Sequence, residues 1–278
     1  MLAPRHLLFT ALEGALLNPH SHSFAGAEEA VAEVNRRQIP LVPLTSRTRA
    51  EIEPVRRELE HRHPFVTESG GGVFIPDGYF NLRIPGAQRC GRYLCVPLGK
   101  SYREVAAALD EIAEECGIGV AGFHHMSGRE VAQNTRLRLR EAELARDREF
   151  DEPFFFTSAD DLAIARFVAA AGQRGFQVRR GNTFWRFSSG CDAAGAVRLL
   201  TRLFRQNAHI KLRTVGIGST PEDLHWLQVV DGAVLLPNQG EEPNATPLPD
   251  LQRISGGEFS GPAGWNHAVL GLIGESSR

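Results

Sequence analysis

Short apolar runs that alternate with helix-period stretches constrain this chain more than any other feature. Leu7-Leu8-Phe9 feeds a glycine-containing turn, Ala11-Leu12-Glu13-Gly14-Ala15. From Ala25 onward, Ala27, Ala30, Val31 and Val34 recur at helical spacing, and Pro40 to Leu44 then reads as a short buried strand. Ile52, Val55 and Leu59 mark the next helix, followed by strand-like Phe65-Val66, the cluster Gly70 to Gly72, and Val73 to Ile75. Strands without polar alternation, joined through helices, imply a parallel sheet covered on both faces. The rim at the strand ends is where such sheets bind ligands.

The middle of the chain has a different rhythm. Ser101 to Ala113 carries Val105, Leu109 and Ile112 on one face, Ser127 to Glu130 is a capping-box pattern, and Ser158 to Asp161 opens a third helix. Strand-like pieces lie at Phe154 to Phe156, Phe176 to Arg179 and Phe184 to Phe187. This predicts a separate α+β unit, residues 83–188, inserted into a doubly wound parallel-sheet core of residues 1–82 and 189–278. The core pattern resumes with a helix from Asp192, a strand at Arg213 to Ile217, a helix from Pro221 and a strand at Ala233 to Leu236; a polar loop, Asn238 to Pro249, precedes a last helix near Trp265 to Ile273.

Composition narrows the function classes. A formal charge of −2 with no basic block gives no nucleic-acid or anionic-membrane surface. No stretch approaches the roughly 18 apolar residues of a membrane span, and no secretory signal opens the chain, so a cytoplasmic protein is expected. Cys90, Cys95, Cys116 and Cys191 have no metal-type pairing, which suits reduced thiols, although Cys90 and Cys95 could meet across a hairpin. His20-x-His22 and His124-His125 have metal-like spacing without companion ligands.

Several segments carry a resemblance: "HLLFTALEGALL" at the start, "PLTSRTRAEI" (Pro43 to Ile52), "ESGGGVFIP" (Glu68 to Pro76), "RDREFDEPF" (Arg146 to Phe154), "VGIGSTPEDL" (Val215 to Leu224) and "GPAGWN" (Gly261 to Asn266). Together they resemble the haloacid-dehalogenase superfamily with a large α+β cap (C2 type), and more narrowly its mannosyl-3-phosphoglycerate phosphatases. The resemblance implies hydrolysis of a phosphate monoester with Mg²⁺ through an aspartyl-phosphate. It also implies an Asp-x-Asp-Gly-Thr motif after the first strand. Here Ala11, Glu13 and Ala15 stand at the two aspartates and the threonine.

By that resemblance Ala11 replaces the nucleophile, and a methyl group cannot attack phosphorus. Glu13 keeps the carboxyl of the general acid but adds a methylene. Ser219 replaces a metal ligand, Asp223 is the retained acid of that motif, and Ala193 replaces a lysine beside Asp192. Glu222 and Asp223 equally suit the positive end of a helix dipole, and Asp192 suits a helix cap. Thr45, Ser46 and Arg47 stand where a strand-end hydroxyl and a cation hold phosphate, or where a hydroxyl pair caps the helix of Arg49 to Leu59. Arg146, Arg148, Glu149 and Glu152 match a substrate-facing cap motif, or form an exposed charge cluster at a helix end. A family Gly-Gly-Arg-Phe pattern reads Gly181-Asn182-Thr183-Phe184, without the arginine.

The leading expectation is a pseudophosphatase that binds a phosphorylated sugar-acid or regulates a protein partner. It needs no cofactor, and Mg²⁺ enters only if activity or metal binding survives. The alternative is a divergent hydrolase of phosphate monoesters working through Glu13, Glu222 or Asp223, and a third reading is an interaction scaffold.

Overall fold

The computed structural model describes residues 6–181, 184–208, 212–237, 251–253 and 259–275. In chain order its elements are β1 (His6–Ala11), α1 (Glu28–Arg36), β2 (Leu41–Leu44), α2 (Arg49–Glu58), β3 (Phe65–Thr67), β4 (Gly72–Pro76), β5 (Gln88–Cys90), β6 (Tyr93–Pro97), α3 (Tyr102–Cys116), β7 (Gly119–Gly122), α4 (Gly128–Thr135), α5 (Leu139–Arg146), β8 (Asp151–Ser158), α6 (Asp161–Gln173), β9 (Gln177–Arg180), β10 (Trp185–Ser188), α7 (Ala193–Ala208), β11 (Arg213–Gly218), α8 (Leu224–Leu227), β12 (Gly232–Leu235), β13 (Leu251–Arg253) and α9 (Gly261–Glu275).

The apolar runs are buried because their strands are interior. Leu7, Leu8 and Phe9 lie at the centre of a nine-stranded sheet ordered β13-β12-β11-β1-β2-β3-β4-β6-β5. The pairs from β13 to β3 are parallel, and those from β3 through β4 and β6 to β5 are antiparallel. Because β1 pairs with both β2 and the much later β11, the strand order reverses at its carboxyl end, and a crevice opens there.

The cap is a four-stranded antiparallel sheet, β7-β8-β10-β9. Phe154, Phe167 and Phe187 fill its core with Val105, Leu109 and Ile112 of α3. Ser101 and Ser127 cap α3 and α4 through capping boxes with Glu104 and Glu130, as their sequence pattern predicts. Asp160 caps α6, whereas Ser158 ends β8.

Three details differ from the sequence reading. Residues 88–97 form a hairpin paired to β4 in the large sheet, so the chain leaves that sheet after Pro97 rather than at residue 83. In that hairpin Gln88 faces Cys95 and Cys90 faces Tyr93, and all four cysteines are free. The helix from Pro221 is a 3-10 turn leading into the single turn of α8. The expected loop Asn238 to Pro249 lies outside the described residues.

The cluster Gly70 to Gly72 joins the two layers. A Cβ on Gly71 or Gly72 would fall 2.4 Å from Phe150, a cap residue that is buried in the core cluster. Gly70, at φ +97°, leaves room for the backbone of Ala193 at the start of α7. Among the described residues no helix is long and apolar enough to cross a membrane.

Candidate functional site

At the crevice, β1 ends on Ala11, and the turn beyond it is set by Gly14 at φ +74°, where a Cβ would meet Ser219 Oγ at 2.6 Å. Ala11, Glu13, Thr45, Ser69, Arg179 and Glu222 are among the residues lining a cleft of about 170 Å³. The Glu13 carboxylate lies in the corner where an anion was expected: Thr45 Oγ1 donates to Oε1 and Oε2 at 2.8 and 3.0 Å, and Arg47 Nε is 2.7 Å from Oε1. The extra methylene of Glu over Asp carries the carboxylate across to the β2 end. Thr45 and Arg47, expected to hold an external anion, hold a side chain of this chain instead. The helix-cap alternative for Thr45 and Ser46 also lapses, because Thr48 caps α2 through a capping box with Glu51.

Arg47 Nη2 lies 2.6 Å from His22 Nδ1. Burial, and then the Arg47 charge, lower the His22 pKa, so the neutral imidazole accepts from the guanidinium. His22 is thereby assigned to Arg47 rather than to a metal.

The other family positions are equally engaged. Asp223 accepts from Ser219 N–H, Thr220 N–H and the Thr220 hydroxyl, each at 2.9 Å, and from Trp226 Nε1 at 3.0 Å. Ser219 Oγ donates to the Glu13 carbonyl at 3.2 Å. Asp192 sits under the first turn of α7, 3.3 Å from His225 Nε2; burial opposes its charge, but the Gly195 N–H and His225 outweigh it and lower the pKa. It is a helix cap, as the sequence suggests.

The cap motif divides into four separate roles. Arg148, with 3% of its side chain exposed, pairs with Asp151, lies 3.6 Å from Glu68 and donates to Ser46 O at 3.2 Å. Burial opposes its charge, but Asp151 and Glu68 raise its pKa above the ordinary arginine value. Glu68 accepts from the N–H groups of Glu149, Phe150 and Asp151, and burial raises its pKa to about 7 against the pull of Arg148. Glu149 pairs with Arg49 of α2 at 2.7 Å. Arg146 pairs with Glu143 of its own helix. Glu152 is wholly buried, bound to His124 at 2.8 Å, and so does not face the cleft.

A second cavity of about 250 Å³ adjoins the first at Ser46 and takes Arg148 and Arg186 on its walls. Gly181 and Phe184 line it as well, while Asn182 and Thr183 lie outside the described residues. Arg179, Arg186, Glu68 and Asp151 were missed by sequence reasoning. Arg179 and Arg186 stand directly opposite each other on adjacent cap strands, a pairing that only the register reveals.

No protein-family model matches the chain. It is 33% identical over 273 residues to a glucosyl-3-phosphoglycerate/mannosyl-3-phosphoglycerate phosphatase of Methanococcoides burtonii, covering 98% of this chain and 99% of that one. A phosphatase of the same description from Persephonella marina is 32% identical, with 98% of each chain covered. The chain belongs to the glucosyl-3-phosphoglycerate/mannosyl-3-phosphoglycerate phosphatase family. A mannosyl-3-phosphoglycerate phosphatase from Pyrococcus furiosus is 30% identical over 80% of this chain and 88% of its own. Among solved structures, a subclass IIB sugar phosphatase of the haloacid-dehalogenase superfamily matches with a TM-score of 0.63 at 13% identity, covering 98% and 99% of the two chains. A superfamily phosphatase from Bacteroides thetaiotaomicron also matches at 0.63, with 14% identity and coverage of 97% and 94%. These two share the fold, and the parallel sheet with an inserted cap expected from the sequence is the one observed.

The magnesium ion that the superfamily resemblance implies does not fit the residues of this family member. A hard cation needs several oxygens free to coordinate. Glu13 is held by Thr45 and Arg47, the Glu13 carbonyl accepts from Ser219, Asp223 has four donors, and Ala11 offers no side-chain oxygen.

Proposed function

We propose that this family member is a pseudophosphatase that retains the cap-covered cleft for a phosphorylated or carboxylated sugar-acid and lacks phosphoryl transfer. One observation carries this reading: the carboxylate at the β1 end, Glu13, is locked into the phosphate corner beside Ala11. The same lock weighs against the alternative hydrolase, because Glu13 and Asp223 both serve fixed donors. Arg179 on the wall of the first cavity and the partly exposed Arg186 on the wall of the second support an anionic small molecule as partner. Four free thiols suit a reducing, cytoplasmic setting.

The direct test is a steady-state assay with glucosyl- and mannosyl-3-phosphoglycerate and Mg²⁺. No hydrolysis above background is expected, and turnover near ~1 s⁻¹, the low end of ordinary enzymes, would overturn the reading.

A second measurement probes the lock itself. Glu13→Ala frees the Thr45 hydroxyl and the Arg47 guanidinium, so calorimetry should show 3-phosphoglycerate binding about tenfold or more tighter than to wild type, the worth of one or two charge-assisted hydrogen bonds. Equal affinities would mean that Glu13 does not compete for the site.

A further inference from the structure

The 3-10 turn Phe123–His125, between β7 and α4, brings a pair of histidines against Asp110 of α3. His124 Nε2 lies 3.0 Å from Asp110 Oδ2, and His125 Nε2 lies 3.3 Å from Oδ1. One ligand atom from each of the three residues lies within 4.8 Å of the other two. The imidazole centroids are 3.8 Å apart.

Behind His124 stands a buried carboxylate. Glu152 is 0% exposed, and its Oε1 accepts the His124 backbone N–H at 3.1 Å and lies 2.8 Å from His124 Nδ1. Its Oε2 is buried without a well-aligned hydrogen-bond donor. Burial, and then the neighbouring Glu152 charge, raise the pKa of the Tyr102 phenol, which stays protonated beside the carboxylate. Gly122 makes the close approach of Glu152 possible, since a Cβ there would lie 2.3 Å from Glu152 Oε1 and 2.8 Å from His124 Nδ1.

Such a carboxylate fixes the tautomer. With the Nδ1 proton directed at Glu152, the lone pair of His124 is on Nε2, facing the Asp110 carboxylate. Two electron-rich atoms 3.0 Å apart need a positive centre between them. A proton on His124, whose pKa the hydrogen bonds to Glu152 and Asp110 raise against its burial, supplies one; a divalent cation that displaces this proton satisfies both rings and the Asp110 carboxylate together. Two imidazoles and one carboxylate form a ligand set of the zinc class, and the 46% exposure of the Asp110 side chain and 42% of His125 leave a path for entry and a further position for water. Coordination through His125 Nε2 releases only the 3.3 Å bond from Gly122 N–H to His125 Nδ1.

We propose that Asp110, His124 and His125 form a transition-metal site in the cap, with Glu152 as its orienting carboxylate. The site is separate from the phosphate corner and does not depend on the pseudophosphatase reading. Phe123 and Pro153, the chain neighbours of His124 and Glu152, line the second cavity, so an ion here stiffens one wall of the cleft.

The test uses the full chain without an affinity tag, stripped with chelator and titrated with Zn²⁺ by calorimetry and with Co²⁺ by visible absorption. One equivalent should bind at about 1 μM or tighter, with the d–d bands of a four- or five-coordinate ion. His125→Asn and Asp110→Asn, at exposed positions that leave the fold intact, should each weaken binding at least tenfold. Glu152→Gln should weaken it about 10–100-fold; if that variant fails to fold, the two exposed variants decide. Absence of binding at 100-fold higher Zn²⁺, or binding that survives both exposed substitutions unchanged, overturns the proposal.

Discussion

Ala11→Asp, Glu13→Asp, Ala193→Lys and Ser219→Asp made together are expected to restore Mg²⁺-dependent hydrolysis of p-nitrophenyl phosphate, on the order of 10³-fold above the wild-type background or more. Removing a nucleophile from a covalent mechanism costs about 10⁶, and residues that act as a unit recover as a unit. Each change answers one feature of the site. Ala11→Asp supplies the nucleophile, and Glu13→Asp withdraws the carboxylate from Thr45 and Arg47. Ser219→Asp removes the hydroxyl that now donates to the Glu13 carbonyl and leaves that carbonyl to a cation. Ala193→Lys, at the first position of α7 on the cleft wall, balances the added charge. Ala11→Asp alone should stay near background, because a second carboxylate beside Glu13 without metal or lysine has its pKa raised and its nucleophilicity reduced. A folded but inert quadruple variant would show that the strand ends no longer hold the reactive geometry. Substantial activity in the single variant would show that the other three positions are not what blocks the chemistry.

Arg148→Met should cost about 3–5 kcal/mol of folding stability in urea melts, because it leaves Glu68 buried without its cation and Asp151 with only the longer 3.4 Å contact to Arg186. Arg148 is only 3% exposed and Asp151 and Glu68 at most 2%, so solvent screening gives little relief. Adding Glu68→Gln and Asp151→Asn to Arg148→Met should regain part of the loss, since the penalty lies in the orphaned charges rather than in the missing attraction. A loss below about 1 kcal/mol, typical of an exposed pair, would show the seam to be hydrated and open.

What was legible in the sequence was what local pattern encodes. The run Leu7-Leu8-Phe9 and the period of Ala30, Val31 and Val34 gave β1 and α1, and serines at capping-box spacing gave the starts of α3 and α4. A hairpin between Cys90 and Cys95 was open to the sequence, but the membership of β5 and β6 in the large sheet was not, because it is a non-local choice made by β4. At the site, the expectation that the nucleophile is missing rests on one residue, Ala11. The destination of the Glu13 carboxylate could not be read in this way, because it depends on where the β2 end lies relative to the β1 turn. "RDREFDEPF" was recognised as a unit, yet its side chains go four ways: Arg146 along its helix, Arg148 into the seam, Glu149 to α2 and Glu152 to His124. His124-His125 looked companionless because Asp110 is one helix earlier in sequence and adjacent only after folding.

Phe150, seated against Gly71 and Gly72, bears on how fast the cap can part from the core. A catalyst must admit substrate and discharge product at every cycle, so its lid has to part many times a second. Here parting the layers withdraws an aromatic ring from the core, strips Glu68 of three N–H donors and breaks the bond from Thr48 Oγ1 to Leu144 O. Such an event belongs to sub-global opening rather than to the swing of a loop. On the proposed reading, a small molecule enclosed beneath this cap would leave only through such an opening, and its occupancy would follow the average supply over that interval rather than its momentary level.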